Sequence, residues 1–238
     1  MTEPTTAAIE TPGPIDVAEV LYAPSAVFAR RRDGAFGLPL LIIVVLGAAV
    51  TLATMNLIEP AMHADTMRGM QPAIAAGKLT ADQAAASAGT FAKFAPFGLI
   101  FFYLVAPFVV GLVTWVAGLI TRVRVGLGVG VMIATFSLVP RILGGIAAAI
   151  IAVLRPDGSL TSMTKVSVSV AQFVDPAAHA GLAAVLARTD LFALWSYVLI
   201  GIGVRVITGC TRLQAGATAF IVWLVFTLWP LWLLATRG

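Results

Sequence analysis

The chain contains 238 residues, of which 60% are hydrophobic and 11% charged, and its formal net charge is +4. Ordinary globular domains have about 45–50% apolar and about 25% charged residues, so this chain has too few polar side chains to cover a water-exposed surface and its solvent must be lipid. A single cysteine excludes a disulfide framework and a cysteine-ligated zinc site within the chain. The positive charge is explained by arginines beside membrane spans and does not indicate a nucleic-acid partner.

Residues 1–15 are predicted to form a disordered tail that precedes a membrane domain of residues 16–235. The tail is acidic and contains several prolines, without the basic start and early apolar run of a signal peptide. We therefore expect the first apolar run to be retained as a membrane anchor.

The segment between the tail and the first apolar run is predicted to contain two short helices. Asp16 can cap the first helix, and Pro24 suits the first position of the second. The arginines that follow, Arg30, Arg31 and Arg32, are candidates for contact with anionic lipid headgroups. This combination fits a segment lying on the cytoplasmic leaflet, and an ordinary juxtamembrane linker fits it equally well.

Five apolar runs are long enough to cross a membrane. A helix needs about 20 mostly apolar residues to span a hydrocarbon core of about 30 Å. The runs that meet this requirement are 38–58, 96–121, 125–154, 191–209 and 215–235. The sequence therefore predicts an all-α, polytopic transmembrane bundle with five spans.

The third run is longer than one straight span requires. Thirty residues make a helix of about 45 Å, and Pro140 removes one of its backbone hydrogen bonds. A single long helix that is kinked near Pro140 is favoured. Two half-helices, each too short to cross alone, are the alternative.

Two long loops are expected on one side of the membrane. The first covers residues 59–94, and a capping box formed by Thr80 and Gln83 predicts a helix that leads into the second span. In the second loop, Asp175-Pro176 is a favourable start for a short surface helix. Residues 164–170 alternate like a β-strand but lack a pairing partner, so we expect an irregular segment there.

The sequence offers no constellation for catalysis, cofactor binding or metal binding. His63 and His179 are isolated, without a second ligand at metal-binding spacing. No nucleophile motif is present, and the predicted spans contain no Asp or Glu. The glycines at 126, 128 and 130 lie in a hydrophobic helix without a preceding strand, which favours close helix packing over a dinucleotide-binding loop. We therefore predict a protein that is not an enzyme.

Arg141 and Arg205 are the only charged residues within the predicted spans. An arginine at the membrane centre costs about 2.5–3.5 kcal/mol on insertion scales. Arg141 lies about 24 Å along the third run, near the far headgroups, and Arg205 lies four residues before Gly209 and can reach the opposite interface. A structural or lipid-headgroup role is favoured for both, and binding of a substrate anion is the alternative.

The orientation is not decided by the number of basic residues, which divide almost equally between the two sides. Their clustering favours a cytoplasmic N-terminus, because the short connections are basic at Arg122, Arg124 and Arg212. The two long loops carry charges of both signs. We therefore expect the N-terminus inside and the C-terminus outside, in the periplasm.

Several stretches together resemble a known family. These are VLYAPSAVFARR at 20–31, the proline-arginine pair of the third run, DLFALWSYVLIGIG at 190–203 and TRLQAGATAFIVW at 211–223. In this order they resemble the bacterial branch of the Yip1-domain membrane proteins, over about residues 16–235. Gln214 departs from the pattern, since many members carry a basic residue there.

The resemblance implies a five-span helical bundle with a cytoplasmic N-terminus. Eukaryotic members of that family act in vesicle trafficking and bind Rab GTPases, a partner that does not transfer to bacteria. What transfers is a membrane-organising or interaction role, without an active-site residue.

Together these observations predict a non-enzymatic, multi-pass protein of the bacterial inner membrane. Its expected partners are the lipid bilayer and another membrane protein or a second copy of itself, with no cofactor, nucleic acid or identified small-molecule substrate. The alternative is a subunit of a small-solute or ion transporter or channel, which the broken third run with Arg141 favours. An odd number of spans without an inverted repeat argues against that alternative.

Overall fold

Residues 13–156, 159–175 and 178–237 are described by the computed structural model, and their regular structure is entirely helical. Residues 1–12 of the predicted tail lie outside these ranges. The α-helices within them are α1 (Asp16–Glu19), α2 (Pro24–Arg30), α3 (Gly37–Ala75), α4 (Ala81–Ile120), α5 (Leu127–Ser137), α6 (Val139–Leu154), α7 (Ala180–Leu186), α8 (Leu191–Thr208) and α9 (Arg212–Arg237). Short 3₁₀ helices occupy Met163–Val166, Val170–Phe173 and Ala187–Thr189.

Four helical segments of the described chain are long and apolar enough to cross a membrane. They are α3, α4, the consecutive pair α5–α6 as Leu127–Leu154, and α8. In α9 the apolar part Arg212–Leu228 is shorter than these four. The chain is therefore an all-α membrane protein with at least four helices capable of spanning.

Helix α3 extends well beyond the apolar run that predicted it. The loop expected from residue 59 is helical as far as Ala75, so α3 has 39 residues and a length of about 58 Å. Gly77 terminates the C-terminal end of α3: its φ is 67°, and its N–H donates to the carbonyl of Ile74 at 2.9 Å. The prediction that residues 59–75 form a loop was wrong. The apolar run ends at residue 58, but a helix continues until its backbone is capped, which here happens after Ala75.

Helix α4 begins where the sequence predicted. The Thr80 hydroxyl accepts a hydrogen bond from the Gln83 N–H at 3.2 Å, and the Gln83 side chain accepts one from the Thr80 N–H at 2.9 Å. This capping box is confirmed. With 40 residues, α4 is about 60 Å long, so α3 and α4 together form a helical hairpin about twice the thickness of a hydrocarbon core.

The third apolar run is helical on both sides of a one-residue interruption at Leu138. Helix α5 ends at Ser137 and α6 begins at Val139. The Leu138 N–H is bonded to the carbonyl of Thr135 at 3.2 Å, and the Arg141 N–H is bonded to that of Leu138 at 3.0 Å. These three-residue bonds tighten the turn around Pro140, which has no N–H to donate.

The second long loop is held against the far part of α3. The Asp65 carboxylate accepts hydrogen bonds from the Met163 N–H at 2.8 Å and the Ser162 hydroxyl at 3.2 Å. Arg68 pairs with Asp65 and donates to the Thr161 carbonyl at 2.5 Å. These contacts fix the loop as a cap at the end of the bundle distant from α1 and α2.

The remaining loop predictions have mixed outcomes. Residues 164–170 lie largely in 3₁₀ turns, and no strand forms in the described part of the loop. The short surface helix exists, but α7 begins at Ala180, later than the predicted start at Asp175. Pro176 itself lies outside the described residues.

The core is centred where α2, α5 and α8 meet. The rings of Phe28 and Phe136 pack edge to face with their centroids 6.0 Å apart, and both side chains are fully buried. Gly203 of α8 lies against this pair, since a Cβ there would come within 2.9 Å of Ile133. Gly203 therefore allows α8 to approach α2 and α5 closely.

Candidate functional site

Two carboxylates and two arginines form a polar group at one end of the bundle, which we call the N-terminal cluster: Asp16, Glu19, Arg30 and Arg31. Arg31 Nε donates to Asp16 Oδ2 at 2.7 Å, and Arg30 Nη2 donates to Asp16 Oδ1 at 2.7 Å. Arg30 also pairs with Glu19. Asp16 and Arg31 are only 1% and 3% exposed, so both charges are neutralised within the fold.

The Arg31 side chain joins the N-terminal cluster to the membrane helices. Its Nη2 donates to the Gly13 carbonyl at 3.0 Å, and its Nη1 donates to that of Ala35 at 3.3 Å. Its guanidinium carbon lies 5.3 Å from the centroid of the Phe136 ring, within the range of a cation–π contact. The arginine therefore fastens the segment before α3 to α5.

The N-terminal cluster also changes the ionisation of Arg30. Hydrogen bonds to the carboxylates of Glu19 and Asp16, in that order of importance, raise the pKa of Arg30 above its ordinary value. A raised pKa means that Arg30 stabilises the fold below the ordinary arginine pKa and loses this effect only as the pH rises through the raised value. Arg30 is therefore charged at every physiological pH.

The local structure explains why these residues meet. Pro24 begins α2, as predicted, because a helix does not need the missing N–H at its first position. Asp16 does not cap α1, because Ile15 is the N-cap residue and Asp16 is the first residue of the helix. Its carboxylate instead turns toward α2 and the two arginines.

Arg32 and Arg205 lie on an exposed surface at the same end of the bundle. Both line a cavity of about 530 Å³ together with Ser25, Gly209 and Cys210. Both side chains are exposed. Across the described ranges, no carboxylate pairs with either arginine.

Arg141 lies between two further cavities near the break in the third run. One cavity has a volume of about 630 Å³ and the other about 360 Å³, and Arg141 and Asp190 line both. Tyr197 lines the larger cavity with Arg141, and Tyr103 lines the smaller one. The Asp190 carboxylate accepts three backbone N–H bonds, from Val168, Phe192 and Ala193 at 3.0–3.2 Å. Within the part of the chain that is described, Arg141 forms no ion pair.

The chain matches a known protein family. The family model of the Yip1 domain matches residues 18–234. This chain belongs to the Yip1 domain family. The match covers nearly all of the sequence: it includes the last two residues of α1 and helices α2 to α8, and it ends within α9. No curated protein and no solved structure matches this Yip1-domain chain.

The structure divides the arginines that the sequence singled out into three places in this Yip1 domain. Arg30 and Arg31 lie in the N-terminal cluster, Arg32 and Arg205 share one surface cavity, and Arg141 lies near the break between α5 and α6. Contact with lipid headgroups stays a prediction for all five.

Sequence reasoning missed the partners of these arginines. Asp16 lies 14 and 15 residues from Arg30 and Arg31, a separation that no helical or strand spacing brings together. The acidic pair Asp16 and Glu19 ahead of an arginine run was the available signal. No group of three His, Cys, Asp or Glu side chains suited to a metal occurs in the described ranges.

Proposed function

We propose that this Yip1-domain chain is a non-enzymatic, five-span protein of a bacterial inner membrane with a membrane-organising or interaction role. The observation that carries the proposal is the collection of arginines at one end of the bundle, beside a segment folded back onto the membrane helices. Membership of the Yip1 domain family, which is not a known enzyme family, supports it. Residues 16–235 are proposed to form the membrane domain, and residues 1–15 a tail.

In this proposal, α9 is the fifth span and the third span is kinked near Pro140. Helix α9 has 26 residues and a length of about 39 Å, enough to cross a core of about 30 Å. It follows α8 after a short turn at Gly209, whose φ is 69°. The interruption at Leu138 and the missing N–H of Pro140 support the kink.

The proposed orientation places the N-terminal cluster in the cytoplasm. The helix order brings Arg122, Arg124, Arg205 and Arg212 to the same end of the bundle as α2. The opposite end carries acidic and basic residues in similar number. Short loops rich in arginine remain in the cytoplasm, which supports an inside N-terminus and an outside C-terminus.

The exposed arginines at this end are proposed to contact lipid headgroups. Arg32 and Arg205 have exposed side chains that no described carboxylate neutralises, and anionic headgroups supply the missing charge. Arg30 and Arg31 are proposed to support this contact by holding the segment against the bundle.

The proposal is tested by reconstitution and cross-linking. The full-length protein in sealed liposomes is expected to give no solute flux above that of protein-free liposomes. Cross-linking in native membranes, followed by identification of the products, is expected to yield a defined membrane-protein partner or a second copy. Specific, saturable flux of one solute would contradict the proposed role.

Transport is a second candidate, favoured by the cavities that reach Arg141. An arginine that lines two cavities at a broken helix, without an ion-pair partner among the described residues, is a feature of transport sites. If this candidate holds, an anion flux should appear in the same liposomes and Arg141→Gln should abolish it. Arg124→Gln is the matched control, because Arg124 is exposed in the connection between α4 and α5 and lines neither cavity.

A further inference from the structure

A groove between α8 and α9 combines apolar walls with two arginines at one end. Its volume is about 650 Å³, and Arg205 and Arg212 are the charged residues in its lining. The Phe220 and Trp223 rings, stacked with centroids 5.4 Å apart, form part of one wall. Phe220 is 57% exposed, so the groove opens on the outer surface of the bundle.

Small side chains keep this groove open. A Cβ at Gly201 would lie 3.5 Å from the Cβ of Ala219, so the two helices are in contact there. A Cβ at Gly216 would meet no atom of the described residues within 4 Å. Gly216 therefore leaves space along the groove that no described side chain fills.

The groove has the depth of one membrane leaflet. Arg205 and Leu194 mark its ends on α8, and eleven residues of helix cover about 17 Å. Arg212 and Trp223 mark a stretch of the same length on α9. Half of a hydrocarbon core of about 30 Å is close to this length. The arginines therefore lie at headgroup level when the apolar walls lie among the acyl chains.

The charge of the groove is not neutralised by the protein. Arg205 and Arg212 are exposed. Arg32 is also exposed, and it lines the neighbouring cavity together with Arg205. The described residues supply no carboxylate partner to any of the three. Guanidinium groups bind phosphate oxygens through paired, charge-assisted hydrogen bonds.

We propose that the α8–α9 groove binds one anionic phospholipid from the leaflet on the side of the N-terminal cluster. Its phosphate lies between Arg205 and Arg212, and one acyl chain lies along Gly201, Gly216 and the Phe220–Trp223 wall. The proposal rests on the membrane layout given above and adds a specific, one-to-one lipid to the expected headgroup contacts.

The experiment measures lipid retention by native mass spectrometry of the full-length protein in detergent. Dioleoylphosphatidylglycerol and dioleoylphosphatidylcholine are supplied in equal amounts. The wild-type protein is expected to retain one phosphatidylglycerol per chain and much less phosphatidylcholine. Inorganic phosphate in excess is expected not to displace the lipid, because the acyl chain contributes to binding.

Variants separate the headgroup site from the acyl-chain groove. The double variant Arg205→Gln with Arg212→Gln should retain at least about tenfold less phosphatidylglycerol, because losing a single charged hydrogen bond already lowers affinity about tenfold and this variant removes both arginines. Gly216→Leu fills the groove and should lower retention by a similar factor. The double replacement by Lys keeps both charges and should recover part of the binding.

Two matched controls lie at the same end of the bundle. Arg124→Gln removes an exposed arginine that does not line the groove, and Gly128→Leu adds a side chain where a Cβ meets no atom within 4 Å. Both should retain lipid as the wild-type protein does. Because Arg205 and Arg212 are exposed and unpaired, their variants should also unfold at the wild-type temperature.

Several results would overturn the lipid site. These are equal retention of the two lipids by the wild-type protein, displacement by inorganic phosphate, loss in Arg124→Gln as large as in the double variant, or unchanged retention in Gly216→Leu. A lipid-free dimer that Gly216→Leu disrupts would assign the groove to a second copy. None of these results depends on solute flux, so failure of the proposed function and failure of the lipid site are distinguishable.

Discussion

Asp16 holds two arginine side chains in place in the segment before α3. One carboxylate oxygen accepts from Arg30 and the other from Arg31, both at 2.7 Å, and the side chain is 1% exposed. A buried arginine without its carboxylate leaves an uncompensated charge, which costs more than the intact pair contributes. The N-terminal cluster therefore depends on this one residue.

Asp16→Asn should destabilise the protein by about 3 kcal/mol, because it leaves Arg31 buried without a counter-charge. The measurement is the thermal unfolding of the purified full-length protein in detergent, followed by fluorescence. Asp33→Asn is the matched control, since Asp33 is exposed and an asparagine can still accept from the Ala35 N–H. Equal unfolding temperatures for the two variants would mean that the N-terminal cluster does not hold the segment to the bundle.

At the scale of elements, α4 and α5 approach each other until their backbones touch. A Cβ at Gly111 would lie 2.6 Å from the backbone of Val131, and one at Gly130 would lie 2.7 Å from the Gly111 carbonyl oxygen. Membrane helices gain little from hydrophobic burial against lipid, so this close contact is a main source of their association. The packing prediction is confirmed for Gly130, whereas Gly128 meets nothing within 4 Å on its Cβ side.

Gly111→Ala should therefore lower the stability of the bundle by about 1–3 kcal/mol. The new methyl group would clash with backbone atoms of Val131, and no change of side-chain rotamer can relieve that clash. Gly98→Ala in the same helix is the control, since its Cβ would meet no atom within 4 Å in the described part of the chain. That variant should be neutral or stabilising by up to about 1 kcal/mol. Thermal unfolding of the two variants in one detergent makes the comparison. A stable Gly111→Ala protein would exclude backbone contact at this crossing.

Local sequence signals are sufficient to predict where α4 begins but not where α3 ends. The start of α4 follows from Thr80 and Gln83 alone, because a capping box acts within one turn. The end of α3 does not follow from the loss of hydrophobicity at Glu59, because alanine- and methionine-rich helix continues and the loop anchored by Asp65 packs on it. Tertiary contact decides how far this helix extends.

At the scale of the whole molecule, the proposed orientation is open to a direct test with the native thiol. Cys210 is the single cysteine of the chain and lies in the turn between α8 and α9. With the N-terminus inside, an impermeant maleimide applied to intact cells should leave it unlabelled, and permeabilised cells should label. The readout is the mass shift of the protein on a gel.

A cysteine placed at the opposite end of the bundle is the positive control for that labelling test. Lys78→Cys in a Cys210→Ser background moves the thiol to the exposed connection between α3 and α4, at the other end of the bundle. This variant should label in intact cells. Labelling of Cys210 in intact cells, together with protection of position 78, would invert the proposed orientation.

From the sequence alone follow the lipid environment, the all-helical class, the Yip1 relationship, the apolar cores of the membrane-capable helices and the capping box of α4. The first two depend on composition, the family relationship on the order of several stretches along the chain, and the capping box on residues within one turn, so none of them requires knowledge of how the helices pack. Only the tertiary structure pairs Asp16 with Arg30 and Arg31, places Arg32 beside Arg205 and opens the groove between α8 and α9. Such contacts depend on how helices pack, and in lipid that packing is decided by small steric and polar details that leave no periodic pattern in the sequence.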